Sequence, residues 1–99
     1  MKMKNKYIVR ENSSGKTREL LEFAKENNLA VICRNKAAME RKAQAYGIYE
    51  LVIFSYDEVV YLYNEGIDFN NHPFVVDEVE SFLSFFFGSE CRGFTQTTD

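Results

Sequence analysis

The 99-residue sequence predicts an α/β protein: one domain over residues 1–99, built as a three-layer parallel sheet of four to five strands flanked by helices. Short apolar runs alternate with helical patterns along the chain, and such alternation makes a parallel sheet covered on both faces. One run, Leu29-Ala30-Val31-Ile32-Cys33, is apolar at every position, as expected of a strand buried on both faces. Capping residues and glycines stand at the junctions between runs.

Tyr7-Ile8-Val9-Arg10 is a first run of strand formers, followed by a polar loop from Glu11 to Gly15. From Lys16 to Asn27, Leu20, Leu21, Phe23 and Ala24 recur on one helical face, and Asn27-Asn28 ends the helix. After the second strand, Asn35 caps a helix carrying Met39, Ala43 and Tyr46 at helical spacing, and Gly47 stops it. Leu51 to Phe54 form a third strand. Ser55 caps the next helix, whose first turn holds Asp57 and Glu58 where negative charge suits the dipole, and Asn64-Glu65-Gly66 closes it. His72-Pro73 leads into a fourth strand, Phe74 to Asp77, and Glu78 to Phe87 reads as a last helix before Gly88. A short fifth strand is expected near Arg92-Gly93-Phe94.

A chain of this size has one modest core. Its net charge of −3 gives no support to a nucleic-acid-binding surface, which usually shows a basic excess. Cys33 and Cys91 read as buried, reduced thiols, and His72 has no cluster of ligands around it that a metal site would need. The basic start, Met1 to Lys6, is not followed by the apolar stretch of a signal peptide, and no run is long enough for a membrane helix. A cytoplasmic protein is expected.

The chemistry concentrates at two junctions. Asn12-Ser13-Ser14-Gly15-Lys16-Thr17 lies between the first strand and the first helix. A loop there turns backbone N–H groups toward one point and adds the positive end of a helix, which makes an anion site. Gly15 permits close approach of the backbone, Lys16 reaches phosphate oxygens, and the Thr17 hydroxyl suits Mg²⁺. The second junction is Phe74-Val75-Val76-Asp77-Glu78, an apolar strand ending in two acids: Asp77 is the candidate metal ligand and Glu78 the candidate catalytic base that orients water. Both junctions fall at the carboxyl edge of a parallel sheet, where ligands bind.

These two segments resemble motifs I and II of the P-loop NTPases, in the RecA-like branch that includes superfamily 2 helicases and phage ATPases. The likeness runs from Tyr7 to about Thr97. Cys33 to Lys36 stand where that family carries motif Ia, Phe54 to Glu58 where a turn opens a helix, and Gly93-Phe94-Thr95-Gln96-Thr97 is similar to motif III. The resemblance implies a nucleotide-binding domain, with ATP and Mg²⁺ as cofactors, Asn12 to Thr17 around the phosphates, Thr17 and Asp77 on the metal, and Lys16 and Glu78 in hydrolysis. Arg10 departs from the glycine that opens the family's phosphate loop. A second RecA-like unit, or a ring of subunits, would be needed for a motor, so a protein partner or homo-oligomer is expected.

Other readings stand beside these. Lys16 also reads as a surface lysine opening a helix, and Asp77-Glu78 as acids favoured by a helix dipole. Arg34 or Arg41 reads either as solvated or as a finger into a neighbouring subunit. Val79, Phe82, Leu83 and Phe86 share one helical face and belong to the core, while Phe85 and Phe87 point off it. They make the 79–87 helix a candidate partner surface. A phage or mobile-element adaptor or inhibitor, keeping the scaffold for protein binding without hydrolysis, is therefore the alternative. Single-strand DNA handling is a third, though no basic residues interleave with Tyr56, Tyr61 and Tyr63. Those tyrosines are expected to pack with their hydroxyls at the surface.

Overall fold

The computed structural model describes residues 15–95, and the elements follow one another as α1 (Lys16–Asn27), β1 (Ala30–Cys33), α2 (Lys36–Ala45), β2 (Ile53–Ser55), α3 (Tyr56–Asn64), β3 (Phe74–Val76) and α4 (Val79–Phe87). The expected strand at Tyr7–Arg10, the loop residues Asn12, Ser13 and Ser14, and Gln96 and Thr97 lie outside the described residues.

The three strands form one parallel sheet in the order β2-β1-β3. Val31 sits opposite Ile53 on one side and Val75 on the other. The direction of the connections decides the layers. The chain leaves β1 toward β2, then returns past β1 to reach β3. Right-handed crossovers taken in opposite directions put their helices on opposite faces. Thus α1 and α2 cover one face and α3 and α4 the other.

Side chains alternate accordingly. Val31, Cys33, Ile53 and Val75 pack with Leu21 and Ala24 of α1 and Met39 and Ala43 of α2. Ile32, Phe54 and Val76 point the other way, to Tyr56, Val59 and Phe82. The central strand is buried on both faces, as its uniformly apolar run predicts.

Local signals account for most boundaries. Asn35 Oδ1 accepts from the Ala38 N–H at 3.0 Å and caps α2. At α3 the cap is reciprocal: Ser55 Oγ accepts from the Glu58 N–H at 3.1 Å, and Glu58 Oε1 accepts from the Ser55 N–H at 3.0 Å. This capping box is legible as Ser-x-x-Glu, a pattern that the sequence reading took only as a cap followed by dipole-favoured acids.

Three expectations are corrected. Residues Arg92 to Phe94 form no strand, and among the described residues the sheet stops at three. Cys91 is only partly buried, although Cys33 is fully so. Tyr56 is among the most buried side chains, with its hydroxyl turned inward, not at the surface. No helix among the described residues is long and apolar enough to cross a membrane.

Candidate functional site

α1 joins β1 through only Asn28 and Leu29, so the helix runs antiparallel to the strand and its N-terminus stands at the carboxyl edge of the sheet. Gly15 occupies the N-cap position with φ 81°, a left-handed conformation that glycine adopts without strain. Having no side chain, it caps none of the first-turn N–H groups, and the helix opens on its positive end. Lys16 and Thr17, both part-buried, follow at once.

The other half of the site comes from β3. The Asp77 N–H donates to the Ile32 carbonyl at 2.9 Å, which continues the ladder one residue past the strand. Glu78 then turns the chain into α4 with φ 59° and ψ 67°. A left-handed glutamate is uncommon and costs roughly 1 kcal/mol. The Tyr56 hydroxyl offsets part of this, because it lies 2.7 Å from the Asp77 carbonyl and 3.0 Å from the Glu78 carbonyl. Sequence reading missed this role. No spacing rule marks a tyrosine that reaches a turn 21 residues away.

The Lys16 ammonium meets the Glu78 carboxylate at 2.5 Å. The two candidate junctions therefore converge, across a separation of more than sixty residues. The hydrogen bond that Lys16 donates to Glu78 is the chief cause that holds the Lys16 pKa above its ordinary value, with the charges of Glu78 and Asp77 adding to it. Glu78 remains about half exposed, at 48% for its side chain, so solvent screens the pair and it stabilises the fold by well under about 1 kcal/mol.

Asp77 is different. Burial raises its carboxyl pKa, the neighbouring Glu78 charge raises it further, and Lys16 and Lys42 only partly oppose this. Among the described residues no Lys or Arg forms an ion pair with it.

The remaining edge groups are consistent with this geometry. Arg34 leaves the end of β1, exposed, and its charge acts on the Tyr56 hydroxyl. Burial pushes that phenol up to about 12 and the Cys33 thiol up to about 11, so both stay protonated at neutral pH. Cys33 is thus a packing residue and not a nucleophile. His72 lies in the exposed loop before Pro73, at the opposite end of β3 from Asp77 and Glu78. Gly93, Phe94 and Thr95 form irregular structure.

A group of three or more His, Cys, Asp or Glu side chains able to enclose a metal does not occur among the described residues. Comparison of the chain with protein-family models, with curated protein sequences and with solved structures found no match.

Proposed function

We propose that the carboxyl edge of this sheet binds a nucleoside triphosphate with Mg²⁺, ATP being the representative ligand, and hydrolyses it slowly. The observation that carries the reading is the meeting of Lys16, at the open N-terminus of α1, with Asp77-Glu78 at the end of β3. The strand order supports it as well. Connections from β1 and to β3 run in opposite directions, and ligands of open α/β sheets bind in the crevice that such a reversal leaves outside the carboxyl ends.

The residues present fit the group. Lys16 and the first-turn N–H groups of α1 supply positive charge for phosphate oxygens, while the Asp77 carboxylate and the Thr17 hydroxyl are hard oxygen donors for Mg²⁺. Bound there, the ion would neutralise charge on the phosphates. Lys16 leaves Glu78 to pair with phosphate. Glu78, released, is free to orient a water and accept its proton. The ion pair is thus a latch whose opening arms the base. Burial of Asp77 lowers the local dielectric and strengthens these interactions.

Calorimetric titration of ATP with Mg²⁺ into the wild type and into Lys16→Ala tests the reading. Binding by the wild type and its loss in the variant is the expected result; no binding by the wild type at millimolar ATP would sink it. Glu78→Gln sharpens the test. It removes the competitor for Lys16, so ATP should bind up to about fivefold more tightly, the worth of an exposed ion pair, while any turnover disappears.

A second reading has its own observation. α4 buries none of its residues although six of its nine are Phe, Leu or Val, and Phe87 is 72% exposed. We infer from this a protein-docking role for α4, the adaptor or inhibitor alternative, which needs no nucleotide.

A further inference from the structure

The charges of this chain are sorted along its length. Residues 1–42 carry eleven Lys and Arg against five Glu, whereas residues 43–91 carry nine Asp and Glu and no Lys or Arg at all. Among the described residues, α1 and α2 fall in residues 16–45, which carry seven Lys and Arg against four Glu. One face is covered by α3 and α4, both drawn from the acidic stretch. It exposes Tyr61, Tyr63, Phe85 and Phe87, with Asp57, Glu65 and Glu80 also exposed around them. The rings already lean on one another, Tyr63 on Phe86 at 5.4 Å and Phe86 on Phe87 at 5.2 Å, so they form one patch. Aromatic faces edged by carboxylates attract cations twice over, through the ring quadrupole and through charge.

The opposite side of the sheet supplies what this patch lacks. α2 buries Met39 and Ala43 and turns Ala37, Glu40, Arg41, Lys42, Gln44 and Ala45 outward. This surface carries two cations to one carboxylate, with small side chains beside them. Aromatic rings can lie against such a surface while Arg41 stacks on a ring and faces a carboxylate.

We propose that the α3–α4 face docks onto the α2 face of a second copy of this chain. The proposal rests on α4 being a docking surface and is independent of nucleotide binding. Because the two faces lie on opposite sides of the sheet, the contact is head-to-tail. Each copy joined on one side leaves its other side open, so assembly continues beyond two subunits until a ring closes. The acid-rich face also repels nucleic acid and anionic membrane, and a second copy is the occupant that its charge favours.

Sedimentation velocity over a range of protein concentrations, at low and high salt, tests this with three proteins: the wild type, Phe87→Lys and Arg41→Glu. Both altered residues are exposed, and far-UV circular dichroism with urea unfolding verifies that the variants fold. The wild type should grow past a dimer with concentration, and high salt should weaken this. Each variant alone should lose association. An equal mixture should recover a species of two chains and no more, since each variant keeps the face that the other has lost. A wild type that stays monomeric throughout overturns self-association, while leaving α4 as a docking face for a different protein. A mixture that fails to recover two-chain species would show a self-complementary contact and overturn the head-to-tail arrangement.

Discussion

The two faces of the sheet are made of similarly apolar material and do opposite things with it. Beneath α1 and α2, Leu21, Ala24 and Val31 are wholly inaccessible, and Cys33, Met39, Ala43 and Ile53 nearly so. Beneath α3 and α4 only Ile32, Tyr56 and Val59 reach that state, although α4 is the most apolar helix of the chain. Hydrophobicity and burial are therefore separate quantities here. The first face uses medium, branched side chains that interlock. The second uses large rings on a short helix at the rim, which touch each other at their edges and leave much of their area outside.

Truncation should separate the faces most sharply. Leu21→Ala removes a fully buried side chain from the first and should cost about 2–5 kcal/mol in urea unfolding, a large share of a small domain's stability. If the loss were small, the α1–α2 layer would not be the stabilising one.

Tyr56→Phe probes a polar anchor of the second face. It keeps the ring against Phe82, at 5.2 Å, and deletes the donor to the two carbonyls at the β3–α4 turn. The expected cost is about 1 kcal/mol, together with a change in nucleotide affinity, since the same turn carries Asp77 and Glu78.

The pH dependence of Asp77 refines the picture at the shared edge. Its folded pKa is raised above the ordinary 3.8, chiefly by burial. The folded state therefore holds the proton more tightly than the unfolded chain does. The resulting stability is present below 3.8 and is lost as pH rises through the folded value. Asp77→Asn should accordingly unfold at higher urea than the wild type at neutral pH, with the gap closing as pH falls toward 3.8. A gap that widened on acidification would mean that Asp77 is stabilised as the anion. The smallest effect belongs to Phe87→Ser, which should stay within about 0.5 kcal/mol of wild type because its ring is mostly in solvent already.

Much of the fold was legible because its causes are local. Both ends of α1, the caps at Asn35 and Ser55 and the stop at Gly88 follow from single residues and their immediate neighbours. The apolar run at residues 29–33 likewise announces a central strand. Strand edges shifted by one or two residues, since pairing partners decide them: the run at Leu51–Phe54 became Ile53–Ser55. The absence of a strand at Arg92–Phe94 has the same origin, because a strand exists only where a neighbouring edge accepts it.

The candidate site was legible in its parts and not in its joining. Gly15, Lys16, Thr17, Asp77 and Glu78 stand out by type and by position at strand–helix junctions. Residue order alone determined the alternation of elements, the helix caps, the charge sorting and the candidate residues at the strand ends, for all of these depend on neighbours within a few residues. Only the tertiary structure decided that β3 lies beside β1, that Lys16 meets Glu78, that burial raises the Asp77 pKa and that Tyr56 ties down the turn between them. Those depend on which crossover went which way. That choice is made by packing between segments tens of residues apart, where no local pattern records it.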